Sequence, residues 1–181
     1  TVTPFETPQT LVYGIETNPN PTMLVESLTT GIKFASPLDA IDAANEGEEL
    51  RLLRDVNLGS KGFVISKGIV LDLNGHILES STITIQIQGG SEMYPVTIVD
   101  KAVEKGKIKG TVGIKLAKVA SNVIVRDVEI DINGGNYCFW DDIGNSNTLL
   151  ERVKCTLYKD AEGNLETIYS DIVSASYNSI N

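Results

Sequence analysis

The chain has 181 residues, of which 24 are acidic and 15 basic, so its net charge at pH 7 is −9. This length suits one domain with a sizeable core. The negative charge, together with the absence of any Lys/Arg cluster in the sequence, argues against nucleic acid as a partner. The sequence has no run of about 20 apolar residues, so we expect no membrane span.

Residues 1–35 differ in composition from the rest of the chain. Four of the six prolines lie in this segment, threonine is frequent, and no basic residue precedes Lys33. Such a composition disfavours helices and central strands, although residues 10–16 and 23–28 have the pattern of short strands. We predict an extended N-terminal arm or linker over 1–35, followed by one domain over 36–181.

The segment "SPLDAIDAANEG" predicts a short helix over residues 36–46. Ser36 is a suitable N-cap, Pro37 suits the first helical position, and Asp39 completes a capping box. Gly47 is a stop signal. One face of this helix is apolar, so we expect the helix to cover an apolar surface.

From Leu50 onward, short alternating apolar runs replace the helical period, and each run ends at Gly, Asn, Asp or Ser. These runs predict strands of about 4 to 6 residues. The segments "SNVIVRDVEIDI" and "SNTLLERVKCTL" begin 25 residues apart and are similar. A spacing of 24 to 27 residues brings apolar positions into register along the chain. The superimposed pairs are Ile69/Val96, Leu71/Ile98, Ile85/Val112, Ile87/Ile114, Val96/Val123, Ile98/Val125, Ile114/Cys138, Leu116/Trp140, Val125/Leu150, Val128/Val153 and Ile130/Cys155.

The charged residues give a separate test of this register. If successive repeats stack in parallel, residues 25 apart become neighbours, and three such pairs have opposite signs: Arg126/Glu151, Asp127/Arg152 and Glu129/Lys154. Cross-strand pairs of this kind contribute about 0.2–1 kcal/mol each, so they select a register more than they stabilise it. The pattern therefore predicts a solenoid in which each repeat forms one coil.

The segments "GIKLAKVASNVIVRDVEI" and "YCFWDDIGNSNTLLERVKC" resemble the coils of right-handed parallel β-helix proteins of the pectate-lyase-like superfamily. The segment that runs from the helix to "LDLNGHIL" resembles the start of such domains in bacterial surface proteins. The resemblance covers roughly residues 31–175. It implies an all-β, right-handed parallel β-helix in which the short helix caps the N-terminal end. No cap signature precedes Asn181, so we expect a longer chain, another chain or the N-terminal arm to close the C-terminal end.

The most chemically varied stretch is "YCFWDD". In the register above, Cys138 and Trp140 face inward, Tyr137, Phe139 and Asp141 face outward, and Lys115 lies beside Phe139. Exposed aromatic rings beside carboxylates are typical of carbohydrate-binding surfaces. The alternatives are an aromatic stack that shields the coil and a contact with a neighbouring subunit.

The acidic residues Asp141, Asp142 and Asp131 are weak candidates for a Ca²⁺ site of the kind that the resemblance implies for lyases, and we favour a simple acidic turn. The Gly-His-Gly turn and the Arg-Ile-Lys strand of polygalacturonase-like enzymes are missing from the sequence. The single histidine, His76, lies in a predicted turn and is better suited to satisfying backbone groups than to acid–base chemistry. We therefore expect no catalytic residues, no metal and no cofactor.

Cys138 and Cys155 both fall at inward positions of neighbouring coils. A disulfide and a pair of buried thiols are both compatible with this placement, and we favour the thiols.

Three functions are compatible with these features. The one we favour is a non-catalytic, extracellular or surface-displayed module of a cell or virion with a structural or adhesive role, which assembles with copies of itself through the N-terminal arm. The second is a glycan-binding module. The third is a polysaccharide lyase or hydrolase.

Overall fold

The structure is a computed structural model that describes residues 21–117, 122–141, 147–161 and 164–178, with only the backbone described for 133–136, 158–161 and 164–178. It is a parallel β-solenoid of about four turns with one short helix. This is the architecture that the repeat predicts. The N-terminal part of the predicted arm, residues 1–20, lies outside the described residues.

The elements follow one another in a regular order along the chain. They are β1 (Val25–Ser27), β2 (Lys33–Phe34), α1 (Pro37–Ala43), β3 (Glu49–Leu52), β4 (Val56–Asn57), β5 (Phe63–Ile65), β6 (Val70–Asp72), β7 (Ile77–Glu79), β8 (Ile83–Ile87), β9 (Val96–Val99), β10 (Lys107–Leu116), β11 (Asn122–Arg126), β12 (Glu129–Asp141), β13 (Asn147–Ala161) and β14 (Asn164–Asn178).

The coils stack to give three parallel faces. The first face contains β3, β6, β9, β11 and the start of β13. The second contains β4, β7, the first halves of β10 and β12, and the middle of β13. The third contains β5, β8 and the second halves of β10 and β12. Each coil therefore supplies one strand or half-strand to each face.

The core is made of apolar side chains that stack in register from coil to coil. On the first face, one buried ladder consists of Leu50, Leu71, Ile98, Val125 and Leu150. Burial of each such side chain contributes about 1.5–3 kcal/mol relative to exposure. Because the fold repeats this arrangement on every face, it returns apolar residues to the same direction once per coil, which is the origin of the repeat in the sequence.

The predicted register is confirmed on the first face and wrong on the third. Leu71 pairs with Ile98, and Val125 pairs with Leu150, as expected. On the third face, however, Ile85 pairs with Ile114 instead of Val112. The corner of residues 100–106 is longer than the corresponding corner of residues 73–76, and the register shifts again between Gly110 and Val112. These irregularities displace the third face without disturbing the first.

The N-terminal end of the solenoid is covered by α1 and β1. Ser36 caps the helix by accepting a hydrogen bond from the Asp39 amide at 3.3 Å, and Pro37 begins it as predicted. The helix ends at Ala43 because Ala44 has an extended backbone. Lys67 Nζ donates to the Asp42 and Ala44 carbonyls at 2.8 and 2.7 Å, so it satisfies carbonyls that the helix end leaves free.

The helix packs its apolar side on the core, where Ala40, Ile41 and Ala44 are buried. Strand β1, from the segment predicted as a possible strand at 23–28, pairs antiparallel with β3. It therefore covers an edge that would otherwise expose unpaired backbone groups. Residues 25–34, within the predicted arm, are in this way part of the solenoid's cap.

The C-terminal end is covered by β14. This strand pairs antiparallel with β13 from Asn147 through Ala161. The expectation that something beyond this chain or the N-terminal arm closes that end was wrong for the edge of β13, because the chain folds back on itself. The strand alternation in "IYSDIVSAS" signals this strand but not its antiparallel direction.

Candidate functional site

The third face carries a largely apolar outer surface. One outward column, here called the Trp140 column, consists of Val64, Gln86, Lys115 and Trp140, which are in register on four successive coils. A second outward column contains Ile83, Val112 and Tyr137. Val64 is 40% exposed and Tyr137 is 46% exposed. Apolar side chains thus line a flat outer surface that spans several coils.

An aromatic pair lies at one end of this surface. The rings of Tyr137 and Trp140 stack with centroids 5.3 Å apart and planes inclined by 21°. Lys115 Nζ lies 3.9 Å from the centroid of the Trp140 ring. Aromatic stacking and cation–π contacts at exposed sites contribute about 0.5–1.5 kcal/mol each. Two neighbours therefore hold the indole in a defined orientation.

The structure changes the roles of two residues in the predicted binding site. The expectation that Phe139 faces outward and Trp140 inward was wrong. Phe139 pairs with buried Ile114 and packs against the core, whereas Trp140 pairs with Lys115. The predicted spacing on this face was 24 residues, and the actual spacing is 25. The charge pairs on the other strands already had the correct spacing of 25, and applying it here would have placed Trp140 beside Lys115.

The remaining predicted site residues are divided between two faces. Asp141 is partly exposed and pairs with Leu116 at the end of the third face. Asp131 lies on the second face, 3.4 Å from Lys107 Nζ, and Asp142 lies outside the described residues. Within the described ranges, no group of three or more His, Cys, Asp or Glu side chains is close enough to hold a metal ion. The structure does not bring Asp131 and Asp141 together.

His76 lies at a corner between the first and second faces. Its Nδ1 is 3.4 Å from the carboxylate of Asp55, and its backbone amide and carbonyl form hydrogen bonds with Leu73 and Lys107. These contacts give the residue a local structural role at the turn.

Charged side chains on the second face and its corners are paired with one another. Lys154 Nζ is 3.4 Å from Glu129, and Arg126 Nε is 2.6 Å from Glu151. Arg152 bridges Asp127 and Glu151 at 2.5 Å each. All three predicted charge pairs are confirmed. Such surface pairs align neighbouring coils and contribute little individually.

Two buried carboxylates, which the sequence analysis did not single out, join the corners of the second and third coils. Asp72 accepts hydrogen bonds from the Asn74 and Lys101 amides at 2.9 and 3.1 Å and from Arg51 Nε at 3.1 Å. Asp100 accepts from the amides of Gly75, Ala102 and Gly106 at 3.0, 3.0 and 2.7 Å. Each carboxylate binds a backbone amide of the other's corner, so both act as structural staples.

Cys138 and Cys155 form a disulfide with 6.1 Å between their Cα atoms. The expectation of two buried thiols was therefore wrong. Cys138 lies on the third-face half of β12, whereas Cys155 pairs with Ile130 on the second face. The bond crosses the interior between faces, a relation that the repeat does not encode.

A second concave region lies at the start of the strands on the first face. It is an open cavity of about 310 Å³, lined by Glu92, Pro95, Asn122, Val123, Ile124, Asn147 and Leu149. Asn147 Nδ2 donates to Asn122 Oδ1 at 3.0 Å across neighbouring coils. The two amides satisfy each other, and the region presents no charged group except Glu92.

Three carboxyl groups have a pKa below the usual range. A hydrogen bond from Arg152 lowers the pKa of Asp127, and hydrogen bonds from Arg152 and Arg126 lower the pKa of Glu151. Burial raises the pKa of Glu48, but hydrogen bonds from Ser27 and Asn45 outweigh burial, so the pKa is lowered overall. Each group therefore stabilises the fold while it is ionised.

These shifts predict a loss of stability in acid. A carboxyl group with a lowered folded-state pKa contributes stability above its unfolded pKa, about 4, and loses that contribution as the pH falls through the folded-state pKa. We expect the free energy of unfolding to decrease between pH 5 and more acidic values. Denaturant unfolding of the wild type and of Asp127→Asn across this range measures the effect. The variant should show a shallower decrease, and an unchanged slope would contradict the role of Asp127.

Comparison with protein-family models found no match, and searches among curated proteins and among solved structures also found none. The described residues include no helix that is long and apolar enough to cross a membrane. Function must therefore be argued from the geometry of this chain alone.

Proposed function

We propose that this chain is a non-catalytic solenoid module with a structural or adhesive role. The observation that carries the proposal is the arrangement of its charged groups. The buried carboxylates Asp72 and Asp100 bind backbone amides of neighbouring corners, and the outer charges at 126–129 pair with those at 151–154 on the next coil. Carboxylates placed in this way hold coils together, which is a scaffold's use of charge and not that of an acid–base catalyst.

The disulfide supports an extracellular or surface location as part of this proposal. Disulfides persist in oxidising environments and are rare in reducing ones. The resemblance to parallel β-helix domains of surface proteins agrees with this location. Assembly with copies of the same chain through residues 1–20 remains part of the proposal.

The proposal predicts the absence of polysaccharide cleavage. The purified chain is incubated with neutral and uronate-containing polysaccharides, with and without Ca²⁺. We expect neither new reducing ends nor the ultraviolet absorbance of unsaturated products. Product formation that disappears in Asp141→Asn would instead establish the lyase or hydrolase alternative.

A second candidate function is glycan binding on the third face. The stacked pair of Tyr137 and Trp140 favours it, because pyranose rings pack their apolar faces against aromatic rings. The structure revises the predicted set of Tyr137, Phe139, Asp141 and Lys115. Trp140 replaces Phe139 as the second outward ring, and Lys115 acts through its contact with that ring. This function is compatible with an adhesive role for the module.

A further inference from the structure

The third face differs from the other two in the charge of its outer surface. On the second face, opposite charges alternate from coil to coil, as in Lys107, Glu129 and Lys154. On the third face, the Trp140 column contains one cation and no carboxylate among its four positions. The neighbouring column of Ile83, Val112 and Tyr137 has no charge. The third face is thus the apolar outer surface of an acidic solenoid.

Solubility alone does not require this composition, because charge pairs would stabilise coil stacking on this face as they do on the second. An outer surface of this kind suits contact with a partner. Its two aromatic rings lie at one end, and an amide, Gln86, lies two positions along the same column. Rings that pack on apolar ring faces, followed by a polar group that binds hydroxyls, form the pattern expected for a carbohydrate chain.

We propose that the Trp140 column is an extended binding surface for a linear, uncharged polysaccharide that lies along the solenoid axis, from the aromatic pair across Lys115 and Gln86 to Val64. This inference rests on glycan binding, the second candidate function, and adds the direction and class of the ligand. Neighbouring strands are about 4.8 Å apart, so the four positions span about 14 Å, which is enough for several sugar units.

The charge distribution selects an uncharged ligand. A polyanion would meet a single cation in the column, Lys115, whose ammonium lies over the Trp140 ring. It would also approach a chain with a net charge of −9, which disfavours association with polyanions at low ionic strength. Binding should therefore depend weakly on salt, in contrast to binding of a uronate polymer.

The test is an array of neutral and uronate-containing linear oligosaccharides of two to eight sugars, probed with the full chain. We expect signals on at least one neutral series, with affinity that rises with length beyond the disaccharide. The best neutral oligosaccharide is then titrated in solution. Trp140 is the only tryptophan, so its fluorescence reports directly on the aromatic end of the surface.

Three variants separate the parts of the inference. Trp140→Ala should weaken binding at least tenfold, and Trp140→Phe should retain part of it. Val64→Glu places a charge at the far end of the column and should weaken binding of long oligosaccharides at least threefold. Val103→Glu is the matched control, because Val103 is 95% exposed at a corner outside this face, and it should leave affinity unchanged. Thermal unfolding verifies that each variant is folded.

The outcomes distinguish this inference from the functions on which it rests. Loss of binding in Trp140→Ala with full binding in Val64→Glu would keep a glycan site at the aromatic pair and overturn the extended surface. A preference for uronate oligosaccharides would overturn the uncharged ligand. No binding anywhere on the array would overturn both the inference and the glycan-binding candidate, while the structural module would stand.

Discussion

Replacement of Asp100 by alanine is expected to lower the free energy of unfolding by about 3–4 kcal/mol. The Asp100 side chain is fully buried and accepts hydrogen bonds from the amides of Gly75, Ala102 and Gly106. Removing a buried acceptor leaves its donors without a partner, at about 1–3 kcal/mol for each donor that water cannot reach. A chain of this size should lose roughly 2–4 °C in melting temperature per kcal/mol.

Two further substitutions identify the cause of this loss. Asp100→Asn keeps one carbonyl oxygen for the Gly75 and Ala102 amides, and should cost less than the alanine variant. Glu104→Ala alters an exposed residue of the same corner and should change stability by less than about 0.5 kcal/mol. Denaturant unfolding followed by circular dichroism gives all three values. Equal losses for the alanine and asparagine variants would mean that hydrogen bonding is not the reason for the effect.

The repeat could be predicted from the sequence where the coils are of regular length. Between β11 and β13, every pair is 25 residues apart, so the apolar ladder and the charge pairs agree and each confirms the other. The third face could not be placed in the same way. Its register depends on the extra residues of the 100–106 corner and on the shift between Gly110 and Val112, which periodicity does not reveal.

The candidate site depended on that register. An error of one residue reverses which side chains of a strand face outward, so Phe139 and Trp140 exchanged roles. The staple of Asp72 and Asp100 had a partial signal, because an aspartate before Asn-Gly is typical of a turn. The sequence did not indicate that two such turns would approach closely enough to exchange hydrogen bonds. Contacts between corners depend on the path of the chain around each coil.

Removal of the Cys138–Cys155 disulfide is expected to destabilise the chain by about 3 kcal/mol. The two cysteines are 17 residues apart, and closing a loop of this length restricts the unfolded chain by about that amount. The bond also joins the third-face half of β12 to β13, which carries the second face into the next coil. Cys138 directly follows Tyr137, so the bond anchors the strand that carries the aromatic pair.

The measurement compares denaturant unfolding of the wild type, with and without dithiothreitol, and of a Cys138→Ala/Cys155→Ala double variant. Reduction should destabilise the wild type and leave the double variant unchanged, which separates loss of the bond from other effects of the reagent. Fluorescence of Trp140 reports on the same strand during unfolding. If the reduced and oxidised wild type unfold at the same denaturant concentration, the bond does not limit the unfolded chain, and packing against Ile130 and Phe139 alone holds the last coils together.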